Sequence, residues 1–150
     1  MNEDDIHKAS VRELVIQLEN HSLCAEDLIN AYLSQVDLHN KKINAVIHVD
    51  KTGATRAALD SDQRRGKKQS FGALDGIPIV VKDNIAVSGW PMTNGLAVQH
   101  TSSADADIVS RLRRQGVVML GSANMDEGAL ASAGVKTHHG RLLNLDFPGY

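Results

Sequence analysis

Apolar positions along this chain recur in blocks whose period switches between that of a helix and that of a strand. Ser10-Val-Arg-Glu13 has the form of a capping box, and Val11, Leu14, Val15 and Leu18 follow at helical spacing. The pattern predicts a short amphipathic helix to about Glu19, closed by Asn20-His21. Ser22 then stands where a second helix can be capped, with Leu28, Ala31, Tyr32 and Val36 as its apolar stripe and an end near Asn40. The β-branched run Asn44-Ala-Val-Ile-His-Val49 reads as a strand, and Thr52 to Arg64 as a third helix. That helix gives way to a basic run, Arg65-Gly66-Lys67-Lys68-Gln69, with the look of a solvated loop. Ile77, Ile79, Val80 and Val81 form a short apolar stretch, the pattern of a strand buried on both faces.

An irregular, glycine-bearing segment follows from Val87 to Gln99 and contains Trp90-Pro-Met-Thr93-Asn94-Gly95; such segments lie at surfaces and often line sites. A helix is predicted over Asp105 to Gln115 with Ile108, Val109 and Leu112 inward, and Gly116 ends it before a strand at Val117 to Leu120. From Ala129 onward the signal fades among Gly134, Gly140, Pro148 and Gly149. The alternation of helix and strand predicts an α/β fold, helices layered around a parallel or mixed β-sheet, with no internal repeat.

Chemistry concentrates where the apolar run ends. In Gly72-Ala-Leu-Asp75-Gly76-Ile-Pro78-Ile-Val-Val-Lys82-Asp83-Asn84-Ile85, Lys82 leaves the predicted strand at its end, and a cation there is either paired or chemically used. Taken alone, Lys82 beside Asp83 reads as a strand-end ion pair. Together with Gly116-Val-Val-Met-Leu-Gly121-Ser122-Ala-Asn124-Met125-Asp126-Glu127, however, the segment closely resembles the amino-terminal third of the amidase signature family of serine hydrolases. The likeness runs from about Ser10 to the end, including Leu74-Asp-Gly-Ile-Pro78 and Gly140-Arg-Leu-Leu-Asn144.

The resemblance implies the amino-terminal part of an amidase domain over residues 1–150, incomplete, with Lys82 as the catalytic base of a Ser-cisSer-Lys triad. A serine hydroxyl needs a base, and a lysine amine becomes one when burial disfavours its ammonium form. The family's two serines lie in a Gly-Gly-Ser-Ser-Gly-Gly motif and a later Gly-Gly-Ser motif, and neither is present in these 150 residues. The sequence ends at Phe147-Pro-Gly-Tyr150, about where the glycine and serine segment is expected to begin. Nor is there a Gly-x-Ser-x-Gly elbow, a Ser-x-x-Lys pair ending at Lys82 (Ile79 occupies that place) or a Gly-x-Gly-x-x-Gly loop. Any substitute serine has to come from Ser88, Ser102, Ser103, Ser122 or Ser132, none of which stands in a nucleophile motif.

Other residues carry two readings each. Thr93-Asn94-Gly95 is a plain turn or, by resemblance, part of a substrate-pocket rim. Asn124 is placed to cap a helix whose dipole Asp126 and Glu127 complement, or else Asn124, Met125 and Asp126 shape the wall beside the lysine. His138-His139 suggests zinc, but adjacent side chains on an extended segment point apart and no further ligand completes a set, so no metal is expected and a structural role is preferred. The remaining histidines read as solvated or singly hydrogen-bonded, and Cys24, alone, as inert packing.

Bulk properties remove whole classes. A net charge of −2 gives no field for holding nucleic acid, and an aromatic content of 3% is too sparse for base stacking. No apolar stretch approaches the roughly 20 residues of a membrane span, and the polar start lacks a secretory pattern, so the cytoplasm is the default. The leading expectation is therefore an amidase acting on a small-molecule amide through a serine acyl-enzyme in its complete form, without a cofactor, this chain alone being inactive. The alternatives are the A subunit of a glutamine-dependent tRNA amidotransferase, an allophanate-type hydrolase, or a non-catalytic truncated remnant or interaction module. The expected protein partner is a second copy in a homo-oligomer or a complementing chain.

Overall fold

The computed structural model describes residues 3–147; Met1, Asn2 and the chain end at Pro148-Gly149-Tyr150 lie outside the described residues. The helices are α1 (Glu3–Lys8), α2 (Val11–Glu19), α3 (Ala25–Ile43), α4 (Lys51–Gly66) and α5 (Asp107–Arg114). The strands are β1 (Val46–Val49), β2 (Pro78–Lys82), β3 (Pro91–Met92), β4 (His100–Thr101) and β5 (Val118–Ala123), followed by a 3-10 turn at Glu127–Ala129.

The capping box is formed as the sequence predicts. Ser10 Oγ accepts from Glu13 N–H while Glu13 returns its carboxylate to Ser10 N–H at 2.7 Å. Ser22 does not cap the next helix. Its groups close α2 through Gln17 and Asn20, and α3 begins three residues later. The open N–H groups of Ala25 and Glu26 are instead met by the carboxylate of Asp62, 37 and 36 residues away, at 2.7 and 3.0 Å. Cys24 donates to Asp27 at 2.9 Å, and burial together with that carboxylate raises its thiol pKa, which suits an inert thiol.

Three strands form one sheet in the order β1-β5-β2, and β3 pairs antiparallel with β4 in a separate two-stranded ribbon. β1 runs antiparallel to β5, with Val46 opposite Ala123 and Val49 opposite Gly121. Bonds from Val118 N–H to Ile77 C=O and from Asp83 N–H to Ala123 C=O advance together along β2 and β5, the parallel sense, so the sheet is mixed. The expectation of a β2 buried on both faces fails: among the described strands β2 sits at an edge, Val81 is buried, and Val80 is 45% exposed. Ile108, expected on the inner face of α5, is 52% exposed, whereas Val109 is fully buried.

The chain divides into two compact units. The first comprises residues 1–35, 50–79 and 111–120, and the second residues 36–49, 80–110 and 121–150. In the first, Leu14, Leu18, Leu28, Ile29, Ala54, Ala58, Ile77 and Val117 to Leu120 are buried. The buried face of α4 is Ala54, Ala58, Ser61 and Arg65, small residues and a cation that no hydropathy stripe would reveal. Asp75 is fully buried and takes Arg64 Nε and Nη2 at 3.0 and 2.6 Å, the bidentate form of the pair, along with Phe71 N–H at 3.0 Å. Burial pushes the Asp75 carboxyl up, but the Arg64 and Phe71 donors outweigh it and hold it below its ordinary value. In the second unit the buried aliphatic residues are few (Val81, Val87, Val109), and polar groups carry more of the interior.

Candidate functional site

Lys82 ends β2 and is exposed, while its neighbour Asp83 is only 1% exposed, so the two are divided between solvent and interior. Among the described residues the Lys82 ammonium has no ion pair or hydrogen bond, and the strand-end pair with Asp83 does not form. The Asp83 carboxylate is committed elsewhere. It accepts from Thr93 N–H at 2.9 Å, from Gly95 N–H at 3.0 Å and from the Thr93 hydroxyl, pinning the 93–95 turn beneath the strand end. Gly95 permits this turn: at φ +76°, a Cβ there would lie 2.7 Å from the Met125 carbonyl oxygen.

The network continues into the 137–140 segment. With the Thr93 hydroxyl proton given to Asp83, His139 Nε2 at 2.7 Å is the donor to Thr93 Oγ1. His138 N–H bonds Gly95 C=O at 2.9 Å. The expectation that the His138 and His139 side chains diverge is not met, since their rings make an edge contact at 5.7 Å. No group of three metal-ligating side chains occurs among the described residues. His48 and His7 are half-buried: each has an enclosed Nε2 without a hydrogen-bond partner, and His48 packs edgewise on Trp90 at 5.0 Å.

Asn124 caps no helix. Its Nδ2 donates to the carbonyls of Asn44 and Gly140 at 2.9 and 3.1 Å, and its Oδ1 accepts from Thr137 Oγ1 and Met125 N–H, which ties three loop segments together. Asp126 precedes the 3-10 turn without a side-chain cap bond. Its two carboxylate oxygens accept from Lys136 N–H at 2.7 Å and Gly134 N–H at 2.8 Å. Those backbone donors, Lys136 first, hold its carboxyl below the ordinary value against the opposing effect of burial.

Lys82, Asn124, Met125, Asp126, Ser132 and Leu142 thereby line one recess of about 260 Å³. Of the residues singled out in the sequence, Thr93, Asn94 and Gly95 do not line it; Thr93 and Gly95 instead clamp Asp83. Sequence reasoning missed Asp83, His139 and Asn44 as organising residues, because each bonds a group 10 or more residues away in the chain: Asp83 the Thr93 and Gly95 N–H groups, His139 the Thr93 hydroxyl and Asn44 the His139 and Gly140 carbonyls. It also missed Ser132 as a wall residue, and only spatial proximity distinguishes that serine from the others.

The family model for amidases matches residues 27–144. The A subunit of the glutamyl-tRNA(Gln) amidotransferase of Psychrobacter sp. (strain PRwf-1) is 34% identical over 142 residues, which cover 93% of this chain and 28% of the relative. Peptide amidase from Stenotrophomonas maltophilia superposes with a TM-score of 0.82 at 30% identity, over 91% of this chain and 30% of that one. An amidase family protein of Bacillus anthracis str. Ames gives 0.86 at 29% identity, over 97% and 31%. This chain thus spans about three tenths of the length of the relatives it matches. The matched region contains β2, β5 and the recess beside Lys82, and with helices around a small mixed sheet of the same fold, the chain belongs to the amidase family.

Proposed function

We propose that these residues are the lysine-bearing, amino-terminal part of an amidase that hydrolyses carbon–nitrogen bonds of amides through a serine acyl-enzyme. The observation that carries this is the position of Lys82: an exposed ammonium without a partner among the described residues, at the end of β2, on the wall of a recess whose loops are fixed by Asp83, Asn124 and Asp126. A side chain held on a strand end and left uncommitted can take a proton from a hydroxyl brought against it once it stands as the neutral amine, the form that covering this exposed strand end with the glycine and serine segments would favour. Asn124, Met125 and Asp126 form the pocket wall in this reading, while Thr93, Asn94 and Gly95 support it from behind. The nucleophile and the backbone N–H groups that would receive the developing oxyanion belong to the glycine and serine segments, whose motifs these 150 residues lack.

A general amidase for small amides is the first choice, working in the cytoplasm without a cofactor. The 34% identity to the A chain of an amidotransferase favours glutamine as the amide donor in a second reading, with a complementing chain as partner. No helix among the described residues is long and apolar enough to cross a membrane.

The test begins with the intact mass of the protein from its source cells. That protein is then assayed for ammonia release from a panel of primary amides, glutamine included, beside its Lys82→Ala variant. Turnover in the parent that disappears in the variant supports the reading, and the preferred amide separates its two forms. Turnover that survives Lys82→Ala ends it. A mass of 150 residues with no turnover, alone or with added cell extract, leaves the non-catalytic module in its place.

A further inference from the structure

We propose that the first unit carries a binding site for a small oxyanion, a phosphate or carboxylate group, on the free fork of Arg65. A recess of about 530 Å³ in that unit is lined by His21, Arg65, Lys68 and Ser70, with Glu19 on its rim. It is larger than the recess beside Lys82 and shares no residue with it. Arg65 is the feature that needs an explanation, because its side chain is buried, at 7% exposure, yet among the described residues it has no carboxylate partner.

The donors of Arg65 can be followed one at a time. Nε and Nη2 both donate to the backbone carbonyl of Asp75, at 3.2 and 2.6 Å, which consumes one side of the guanidinium. The Asp75 carboxylate is taken by Arg64 in a bidentate pair, so that pair is electrically closed and leaves the charge of Arg65 over. The outer edge, formed by Nη1 and the second hydrogen of Nη2, has no protein acceptor among the described residues. No atom of Arg65 is among the fully enclosed polar atoms that lack a partner. Nη1 is thus neither bonded nor enclosed, and Arg65 is one of the residues that line the recess.

A mostly buried cation without a counter-charge gives up much of its hydration, and two bonds to one neutral carbonyl offset only part of that loss. The fork geometry matches the two oxygens of a carboxylate or phosphate. Lys68 and His21 stand on the same wall, so the site presents Arg65, Lys68 and, when protonated, His21 against the single carboxylate of exposed Glu19. Ser70 lines the wall with its hydroxyl engaged locally, donating to Gly72 C=O at 2.9 Å and accepting from Gly72 N–H at 3.3 Å, so the donors for the ligand are those of Arg65 and Lys68. Its size suits an organic molecule bearing the oxyanion better than the bare ion.

The experiment titrates inorganic phosphate, and separately acetate, into the isotope-labelled protein at its natural length, following backbone amides and arginine side-chain N–H signals. The expected result is saturable shifts confined to His21 and the 65–73 segment, at a Kd of roughly millimolar or tighter. Arg56 and Arg114 should stay still. Lys68→Glu, an exposed change away from Lys82, weakens binding about tenfold or more and leaves the melting temperature and any amidase activity in place. Arg65→Lys keeps the charge but loses the fork and weakens phosphate strongly. The stronger of the two probes identifies the ligand class. Shifts that spread equally over Arg56 and Arg114, or binding indifferent to Lys68→Glu, or no saturation with either probe, would overturn the site, whatever becomes of the assignment of Lys82.

Discussion

The two units of this chain hide different things. The first buries aliphatic side chains over most of its interior and confines its buried charge chiefly to one bidentate pair, Arg64 with Asp75, beside the lone Arg65. The second buries Asp83, Thr93, Ser122, Asn124 and Asp126, and most of these hold backbone groups of loops. The difference follows from what each has to do. Helices satisfy their own backbone and need only an apolar face covered, whereas irregular loops leave N–H groups that must find acceptors. In the second unit carboxylates are those acceptors, and the ammonium of Lys82, next to one of them in the chain, has no hydrogen bond or ion pair among the described residues. Non-directional burial builds a scaffold; directional bonds aim a side chain.

The sharpest way to break that contrast is Lys82→Ala. If the Lys82 amine is the base, ammonia release by the complete enzyme falls by about 10³-fold or more, the size usual for a member of a catalytic constellation. Because Lys82 is exposed and makes no hydrogen bond or ion pair among the described residues, the melting temperature stays within the small range of surface changes. A large loss of stability would move Lys82 from the working set to the scaffold.

Asp75→Ala tests the other unit. Breaking a buried pair strands a guanidinium and removes the acceptor of Phe71 N–H, at a cost of about 3 kcal/mol, which urea unfolding would read directly. Arg64 is partly exposed and can turn outward, so the cost lies at the low end for buried pairs. Asp83→Asn should cost less, roughly 2 kcal/mol, since one oxygen remains to accept while the new amide faces donors. Its effect is local: faster exchange of the Thr93 and Gly95 amides and a several-fold lower kcat, with KM changing little. An unchanged kcat would mean that the 93–95 turn supports the fold alone.

Much of the scaffold was legible because it depends on near neighbours. Ser10 with Glu13, Gly116 after α5 and the β-branched run of β1 announce themselves over a few residues. What escaped depends on distance or on the wrong kind of residue. Asp62 caps a helix 37 residues upstream, and a local reading assigned that task to Ser22. Arg65 sits in a basic run that reads as solvated, yet α4 continues through it and turns it inward behind Ala54, Ala58 and Ser61. Asn124 has the sequence context of a cap, but the helix expected after it is a three-residue turn, so its amide ties loops instead. Lys82 was singled out by resemblance to a family; from spacing alone it read as an ion pair, and the commitment of Asp83 to Thr93 and Gly95 removes that reading.

The finest discrimination between the units comes from acid. Asp75 and Asp126 both have carboxyls held below their ordinary value near 3.8, the first by a cation that outweighs its burial, the second by backbone N–H groups. A depressed carboxyl contributes stability that is fully present above the ordinary value and is lost as pH falls through the lower folded one. Both contributions are therefore intact at pH 5 and disappear only below about pH 4. They differ in what is lost. Protonating Asp126 should loosen the 133–136 loop, seen as faster exchange of the Gly134 and Lys136 amides while α2 and α3 remain protected. Asp126→Asn should produce the same loosening at pH 7 and make it independent of acid. If instead both units lose protection together as pH falls, the 133–136 loop is not a separately held element, and the division between a scaffold and an aimed site would have to be abandoned.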